Sequence, residues 1–201
     1  SDAGAAYLVL GGTTGTVSLD SADAILTGDN NSDRAGFAVS MAGDVDNDGY
    51  DDLFIGAYQN DDSYDNAGAA YLALGPITGT VSLSVADAAF SGAAEDDRAG
   101  YALSGGFDFN NDGYGDLIVG AYQNDDAASD AGAAYLILGG SSVSDVDLTS
   151  ADGVFTGEAE DDQAGQAVSA AGDTDGDGYD DLIIGALEDD EGGTDAGAAY
   201  I

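Results

Sequence analysis

The stretch Asp44-Val45-Asp46-Asn47-Asp48-Gly49-Tyr50-Asp51-Asp52-Leu53-Phe54-Ile55-Gly56-Ala57 places an acidic, glycine-containing loop directly before an unbroken apolar run. Loop positions 1, 3 and 5 carry side-chain oxygens, and the glycine at position 6 permits a sharp turn. A short unbroken apolar run is typical of a strand that is buried on both faces. The stretch therefore predicts an oxygen-rich turn that leads into a central β-strand.

The surrounding sequence repeats this unit. Ala-Gly-Ala-Ala-Tyr begins at residues 3, 67, 131 and 196, in steps of 64, 64 and 65 residues, and the acidic loop recurs in phase at Asp108 and Asp173. Each repeat is expected to hold four short strands, A to D. They are A at 37–42, 101–106 and 166–171, B at 52–57, 116–121 and 181–186, C at 69–74, 133–138 and the two chain ends, and D at 24–27, 88–91 and 154–156.

Repeated four-stranded antiparallel sheets predict an all-β fold of β-propeller blades, and an open β-solenoid is the alternative. The expected units are residues 1–28 (strands C and D of a partial blade), 29–92, 93–157 and 158–201, the last without strand D. A segment between C and D, at 16–19 or 80–83, is expected to be a short strand or a loop. Because a propeller closes with about four to eight blades, we expect a processed or partial chain that belongs to a larger propeller or assembly.

Composition excludes several function classes. The chain has 40 acidic residues (35 Asp and five Glu), two arginines, no Lys, His or Cys, and a formal net charge of -38. Nucleic acid is not expected as a partner, because it requires a basic surface. Catalysis by His, Lys or Cys is impossible, and without a run of about 18 apolar residues no direct membrane insertion is expected. The 44% of hydrophobic residues nevertheless suffices for a folded core.

The three acidic loops predict calcium sites, about one per A–B loop. Calcium accepts an irregular cage of six to eight oxygens, whereas magnesium demands stricter octahedral geometry. An EF-hand would need Glu at position 12, where apolar strand residues stand, so we expect the carboxylate at position 9 to close the site instead. Position 8 includes Gly115 and is not a required ligand. The predicted side-chain ligands are Asp44, Asp46, Asp48 and Asp52, then Asp108, Asn110, Asp112 and Asp116, and finally Asp173, Asp175, Asp177 and Asp181. The alternative is that these segments are only acidic turns.

The order Phe37-Ala38, Gly43-Asp44, acidic loop, apolar strand, Gly56-Ala57-Tyr58 resembles the FG-GAP repeats of the integrin α-subunit propeller and its bacterial relatives. The resemblance covers essentially the whole chain. It implies a propeller whose A–B hairpins each bind one calcium ion on the lower face, and it adds the main-chain carbonyls of Tyr50, Tyr114 and Tyr179 as ligands. Tyr58 in place of Pro, Ala38 in place of Gly and Gln166 in place of Phe depart from the pattern and favour a divergent microbial branch.

These observations predict an extracellular or cell-surface, calcium-binding structural or adhesive module. It would self-assemble as a homo-oligomer or filament, or join further repeats of the same parent chain. The alternative is a carbohydrate- or protein-binding propeller attached to an extracellular enzyme, with a glycan or protein ligand. Adjacent acids occur throughout the chain and do not identify a catalytic pair, so no catalytic residue is predicted. The remaining acids are expected on a negative upper face, opposite the A–B loops, and each arginine is expected to be held by several carboxylates or carbonyls.

Overall fold

The computed structural model describes residues 2–201. Within this range, 15 strands and three single-turn 3-10 helices are formed, and no helix is long and apolar enough to cross a membrane. The strands are β1 (Ala5–Leu8), β2 (Ala24–Thr27), β3 (Val39–Gly43), β4 (Asp52–Ala57), β5 (Ala69–Ala73), β6 (Gly79–Ser82), β7 (Ala88–Ser91), β8 (Ala102–Phe107), β9 (Asp116–Ala121), β10 (Ala133–Ile137), β11 (Val146–Asp147), β12 (Gly153–Thr156), β13 (Ala164–Gly172), β14 (Asp181–Ala186) and β15 (Ala198–Tyr200).

Two complete blades stand between two smaller sheets. The first complete blade has the antiparallel order β3-β4-β5-β7, and the second has the order β8-β9-β10-β12. On either side lie β1 with β2, and β13 with β14 and β15. The sheets formed by residues 2–201 do not close into a ring. The prediction of propeller-type antiparallel blades within a larger propeller or assembly is therefore confirmed.

The connection between strands C and D links neighbouring blades. Gly79–Ser82 is a strand, and it pairs in parallel with β2 of the preceding sheet instead of with its own blade. β11 pairs in the same way with β7. The corresponding segment near residue 16 forms no strand, and only Leu19–Ser21 there makes a 3-10 turn. The segment between strands C and D is therefore a strand at Gly79–Ser82 and Val146–Asp147, and it is a loop near residue 16.

The hydrophobic core lies between the blades. Neighbouring residues of a strand point to opposite faces of a sheet, so Phe54 packs toward the second complete blade and Ile55 toward the β1-β2 sheet. Phe54 and Phe90 meet edge to face at 5.8 Å. Every residue of β9 is buried, as the unbroken apolar run predicts. The first complete blade therefore packs through one face against the β1-β2 sheet and through the other against the second complete blade.

The Gly-Ala pairs at the ends of the first two B strands let neighbouring blades approach closely. A Cβ atom on Gly120 would stand 2.0 Å from the carbonyl oxygen of Gly165, and one on Gly56 would stand 2.1 Å from that of Gly100. Side chains cannot occupy such positions, because the neighbouring atoms belong to backbone. These contacts place the start of the second and third A strands close against the end of the preceding blade's B strand.

Candidate metal centre

The three acidic loops connect strand A to strand B in each repeat, between β3 and β4, β8 and β9, and β13 and β14. Their local sequence selects the turn. Position 6 is glycine in all three, at φ of 93°, 90° and 96°. Position 4 also has a positive φ and is Asn47, Asn111 or Gly176, residue types that tolerate the left-handed region. The predicted hairpin loops are therefore formed where the sequence places them.

Main-chain N–H groups hold the carboxylates of the first loop. The two oxygens of Asp44 accept from the N–H groups of Asp48 (2.9 Å) and Gly49 (3.0 Å). Asp46 Oδ1 accepts from Asp48 N at 3.1 Å, and Asp48 Oδ1 accepts from Tyr50 N at 2.9 Å. Ligand oxygens of Asp44, Asp46 and Asp48 come within 4.8 Å of one another. The side-chain oxygens at positions 1, 3 and 5 of the first loop thus converge.

The other two loops repeat this arrangement. In the third loop, Asp173, Asp175 and Asp177 also come within 4.8 Å of one another. In the second loop, Asp112 N donates to Asp108 Oδ1 at 2.9 Å and to Asn110 Oδ1 at 3.1 Å. The amide of Asn110 therefore directs its oxygen inward, where the other loops have a carboxylate oxygen.

The carboxylates at position 9 of the first two loops accept hydrogen bonds from main-chain N–H groups and so hold the loops in place. Asp52 is fully buried, and its two oxygens accept from Val45 N and Gly75 N, both at 2.8 Å. Asp116 has the same two contacts, from Phe109 N and Gly139 N. Burial raises the pKa of both carboxyls, and the nearby acids of their loops raise it further. Each oxygen keeps a second lone pair that these two contacts do not use.

The third repeat differs at position 9. Asp181 Oδ2 accepts from the main-chain N–H of Thr174 and from its hydroxyl. The hydroxyl and N–H hydrogen bonds lower the pKa of this carboxyl.

At position 7, the N–H groups of Tyr114 and Tyr179 donate to the position 5 carboxylate, as that of Tyr50 does. This contact fixes the backbone of position 7 next to the carboxylate.

Position 8 has a role that the loop spacing does not reveal. Gly115 N donates to the carbonyl of Asp44 at 2.9 Å, which joins the second loop to the first. Asp180 repeats this link from the third loop to Asp108, whose N–H in turn donates to Asp180 Oδ2 at 2.9 Å. A Cβ on Gly115 would lie 2.9 Å from the carbonyl oxygen of Ala42. Adjacent loops are therefore mechanically connected through position 8.

Some acids expected on the upper face are buried instead. Asp97, in a D–A loop, is 1% exposed, and Asn124 beside it donates to the Tyr135 hydroxyl at 3.1 Å. Burial raises the pKa of Asp97 to about 6, against the opposing effect of hydrogen bonds from Ala94 N and Asn124. The same positions hold Asp33, Asn60 and Tyr71 in the first repeat and Asp162, Asp189 and Tyr200 in the third. The recurrence of these polar residues at the repeat spacing is a sequence signal that could have identified this cluster.

The arginines make fewer acidic contacts than expected. Each guanidinium donates through Nε to a glutamine at 3.2 Å, Arg34 to Gln59 and Arg98 to Gln123. In the described part of the chain, each meets one carboxylate within 4.0 Å, that of Asp2 or Asp96. In the described residues, one glutamine and one carboxylate therefore hold each arginine, and the expectation of several carboxylates or carbonyls is wrong.

An aromatic row crosses the face that carries the D–A and B–C loops. Phe37 contacts Tyr58 and Tyr101, with ring centroids 4.4 and 4.9 Å apart. Tyr101 in turn contacts Tyr58 at 5.5 Å and Tyr122 at 4.5 Å. Phe37 is 51% exposed. The row thus offers aromatic surface to solvent among acidic loops.

Comparison with known proteins adds to this geometry. Residues 35–72, 99–137 and 164–201, more than half of the chain, match the FG-GAP repeat. Integrin alpha-PS2 of Drosophila melanogaster is 32% identical over 128 residues, which cover 62% of this chain and 9% of that protein. Integrin alpha-V of Gallus gallus is 33% identical over 96 residues (47% and 9%), and integrin alpha-IIb of Homo sapiens is 36% identical over 124 residues (60% and 11%). The match spans about a tenth of the length of these relatives.

Proposed function

Because this chain belongs to the FG-GAP repeat family, we propose that it is an integrin-like adhesive propeller module of the cell exterior whose blades are stabilised by calcium. The resemblance predicted from the sequence is confirmed by the family match. The observation that supports calcium binding is the convergence of positions 1, 3 and 5 in the A–B loops. No catalytic activity is part of the proposal.

The proposed ligands are those of the sequence analysis: the oxygens at positions 1, 3, 5 and 9 and the position 7 carbonyl. Carboxylate, amide and carbonyl oxygens are hard donors that suit calcium. Without a cation, the three carboxylates of the first loop repel one another at short range. Three calcium ions would supply six positive charges against a net charge of -38, so their benefit must come from local binding and not from overall neutralisation.

The test is calcium titration of chelated protein by calorimetry, together with thermal melting. We expect about three bound ions and a higher melting temperature in calcium. When the free calcium concentration is one hundred times the Kd of a site, binding at that site adds about 2.7 kcal/mol to the free energy of unfolding. Sodium chloride at matched ionic strength is the control, because screening alone stabilises an acidic protein. A melting curve that calcium and chelator leave unchanged at constant ionic strength would refute the proposal.

For adhesion, the proposed contact surface is the aromatic row of Phe37, Tyr58, Tyr101 and Tyr122. Aromatic faces attract cations, and surrounding acids strengthen this attraction. The proposed ligand is therefore a protein segment that presents arginine or lysine. A glycan, which also stacks on aromatic rings, is the ligand of the alternative proposal, a binding domain attached to an extracellular enzyme.

A hexa-arginine peptide tests this surface at about 0.15 M salt, where bulk charge attraction is largely screened. Tyr101→Ala should weaken peptide binding several-fold, because Tyr101 contacts all three other rings of the row. Tyr64→Ala is the matched control, since Tyr64 is 51% exposed in a B–C loop. Equal losses in both variants would remove the aromatic row from the proposed function.

The proposal also includes assembly with further copies of the chain or with further repeats of a parent chain. Its basis is that the sheets at both sides of the complete blades have fewer strands than the blades themselves.

A further inference from the structure

The residue at position 8 of the third loop makes a side-chain contact with the second loop. The N–H of Asp108 donates to Asp180 Oδ2 at 2.9 Å, and Asp180 N donates back to the carbonyl of Asp108 at 3.4 Å. The two residues therefore form a closed pair of hydrogen bonds between neighbouring loops. In the second loop, position 8 is Gly115, whose N–H donates to the carbonyl of Asp44 at 2.9 Å. Glycine has no side chain that could complete such a pair.

The surroundings of Gly115 exclude a side chain at this position. A Cβ on Gly115 would lie 2.9 Å from the carbonyl oxygen of Ala42 and 3.4 Å from the main-chain nitrogen and oxygen of Asp44. These neighbours are backbone atoms, which cannot turn aside as a flexible side chain can. Hydrogen bonding through position 8 is therefore limited to the main chain between the first and second loops, whereas between the second and third loops it includes a carboxylate.

Both residues of the hydrogen-bonded pair lie next to proposed calcium ligands or are ligands themselves. Asp108 is position 1 of the second loop, and one of its carboxylate oxygens accepts from Asp112 N at 2.9 Å. Asp180 lies between Tyr179 and Asp181, positions 7 and 9 of the third loop, which are both proposed ligands of the third ion. An ion in the third loop would hold Asp180 from both sides, and Asp180 in turn holds the backbone of Asp108.

We propose that Asp180 is a positioning residue that couples the second and third calcium sites, so that an ion in the third loop raises the calcium affinity of the second. The proposal rests on the calcium part of the proposed function and concerns the regulation of those sites. Ordering of a loop costs conformational entropy and so weakens the binding of its ligand. When the third ion has fixed Asp180, part of the ordering of Asp108 is already complete. By linkage, the second ion raises the affinity of the third by the same factor.

The size of the coupling follows from the contacts. We expect a factor of about five to ten between the second and third sites, at the low end of measured allosteric couplings, because a single charge-assisted pair of hydrogen bonds connects them. Between the first and second sites we expect about twofold or less, because one hydrogen bond between neutral main-chain groups connects those loops.

The test follows calcium binding at the second loop by NMR at about 0.15 M salt, which screens charge effects between loops. The probe is the N–H of Gly113, which donates to Asp108 Oδ2 at 2.9 Å. Asp177→Ala disables the third site and should weaken the second about five- to tenfold. Asp48→Ala is the matched control, because it removes the same loop position from the other neighbouring site. It should change the affinity of the second site about twofold or less.

Two substitutions of Asp180 separate the hydrogen bond from the charge. Asp180→Ala removes the acceptor of the Asp108 N–H, and in this background Asp177→Ala should no longer weaken the second site. Asp180→Asn removes the same charge and keeps an oxygen that accepts from this N–H. Because an amide oxygen is a weaker acceptor than a carboxylate, the effect of Asp177→Ala should fall to about threefold in the Asn background and not vanish.

Hydrogen exchange of the Asp108 N–H gives a readout that does not depend on calcium in the second loop. Asp112→Ala disables the second site, yet calcium in the third loop should still slow the exchange of this N–H. The slowing should be lost when Asp180→Ala is added and retained when Asp180→Asn is added instead.

Each result decides the proposal. Equal effects of Asp177→Ala and Asp48→Ala on the second site, loss of the coupling in Asp180→Asn as complete as in Asp180→Ala, or an Asp108 N–H whose exchange does not respond to calcium would each overturn it. The first comparison leaves position 180 unchanged, so it decides the proposal where a variant of Asp180 does not fold. Independent binding of calcium by the second and third loops refutes the coupling alone. If neither loop binds calcium, the calcium part of the proposed function fails together with it.

Discussion

Substitution of Asp97 by Asn should stabilise the protein at neutral pH. Asp97 is 1% exposed, and burial raises the pKa of its carboxyl from 3.8 to about 6. A difference of about two pH units corresponds to about 3 kcal/mol between the charged and neutral forms. The amide removes this charge and retains an acceptor for Ala94 N, which now donates to Asp97 Oδ2 at 2.8 Å. Because an amide oxygen accepts more weakly than a carboxylate, the expected gain at pH 7.5 is about 1–3 kcal/mol.

The sign of the pH dependence follows from the raised pKa. The native state keeps its proton to higher pH than the unfolded chain, so stability falls as pH rises from about 4 to about 6. Above this range the wild-type protein carries the full cost of the buried charge. The advantage of the Asn variant should therefore be largest at pH 7.5 and should shrink to less than about 1 kcal/mol at pH 4.

The assay is urea unfolding at fixed calcium concentration and ionic strength, with free energies obtained by linear extrapolation. Differences between variant and wild type at each pH cancel the titration of the loop carboxylates. Asp126→Asn is the control, because it removes the same charge from an exposed side chain nearby and should change stability by about 0.5 kcal/mol or less. A variant that is no more stable than wild type at pH 7.5, or a gain equal at pH 4 and 7.5, would refute the reasoning.

Three further outcomes are expected. Asp48→Ala should lower the number of calcium ions in calorimetric titration by one and leave the other two affinities largely unchanged, because repeats couple mainly to their neighbours; loss of all three sites would contradict this. Gly120→Ala should destabilise by more than about 2 kcal/mol in urea unfolding, since its Cβ would stand 2.0 Å from a carbonyl oxygen, whereas Gly140→Ala, with open space around it, should be nearly neutral. Leu117→Ala, at a fully buried position, should cost about 2–5 kcal/mol, and a smaller loss would indicate a looser core.

Local sequence determined the central strands and the loops before them. The B strands predicted at 52–57, 116–121 and 181–186 are the strands observed. The reason is local: Asp marks the first residue of each strand, the apolar run indicates burial, and Gly-Ala marks the end. The acidic loops likewise hold their carboxylates with their own main-chain N–H groups. Whether calcium occupies them remains a prediction, since it depends on a binding event outside the chain.

The A strands were less well determined. The first begins at Val39 and the third at Ala164, whereas starts at 37 and 166 were predicted. Their first residues are small and permissive, so contacts with the adjacent blade decide where pairing begins. The polar cluster around Asp97 also depends on tertiary contacts, because Asn124, which is remote in sequence, donates a hydrogen bond to it.

The clearest limit is the segment Gly-Thr-Val-Ser. At residues 79–82 it is a strand, and at residues 15–18 it is exposed and forms none. The two have identical local propensity, so nothing within the segment distinguishes them. The difference is that β2 supplies hydrogen-bonding partners to the first, and an edge strand without a partner gains too little to order itself. Its structure is thus decided by the tertiary contact and not by its own sequence.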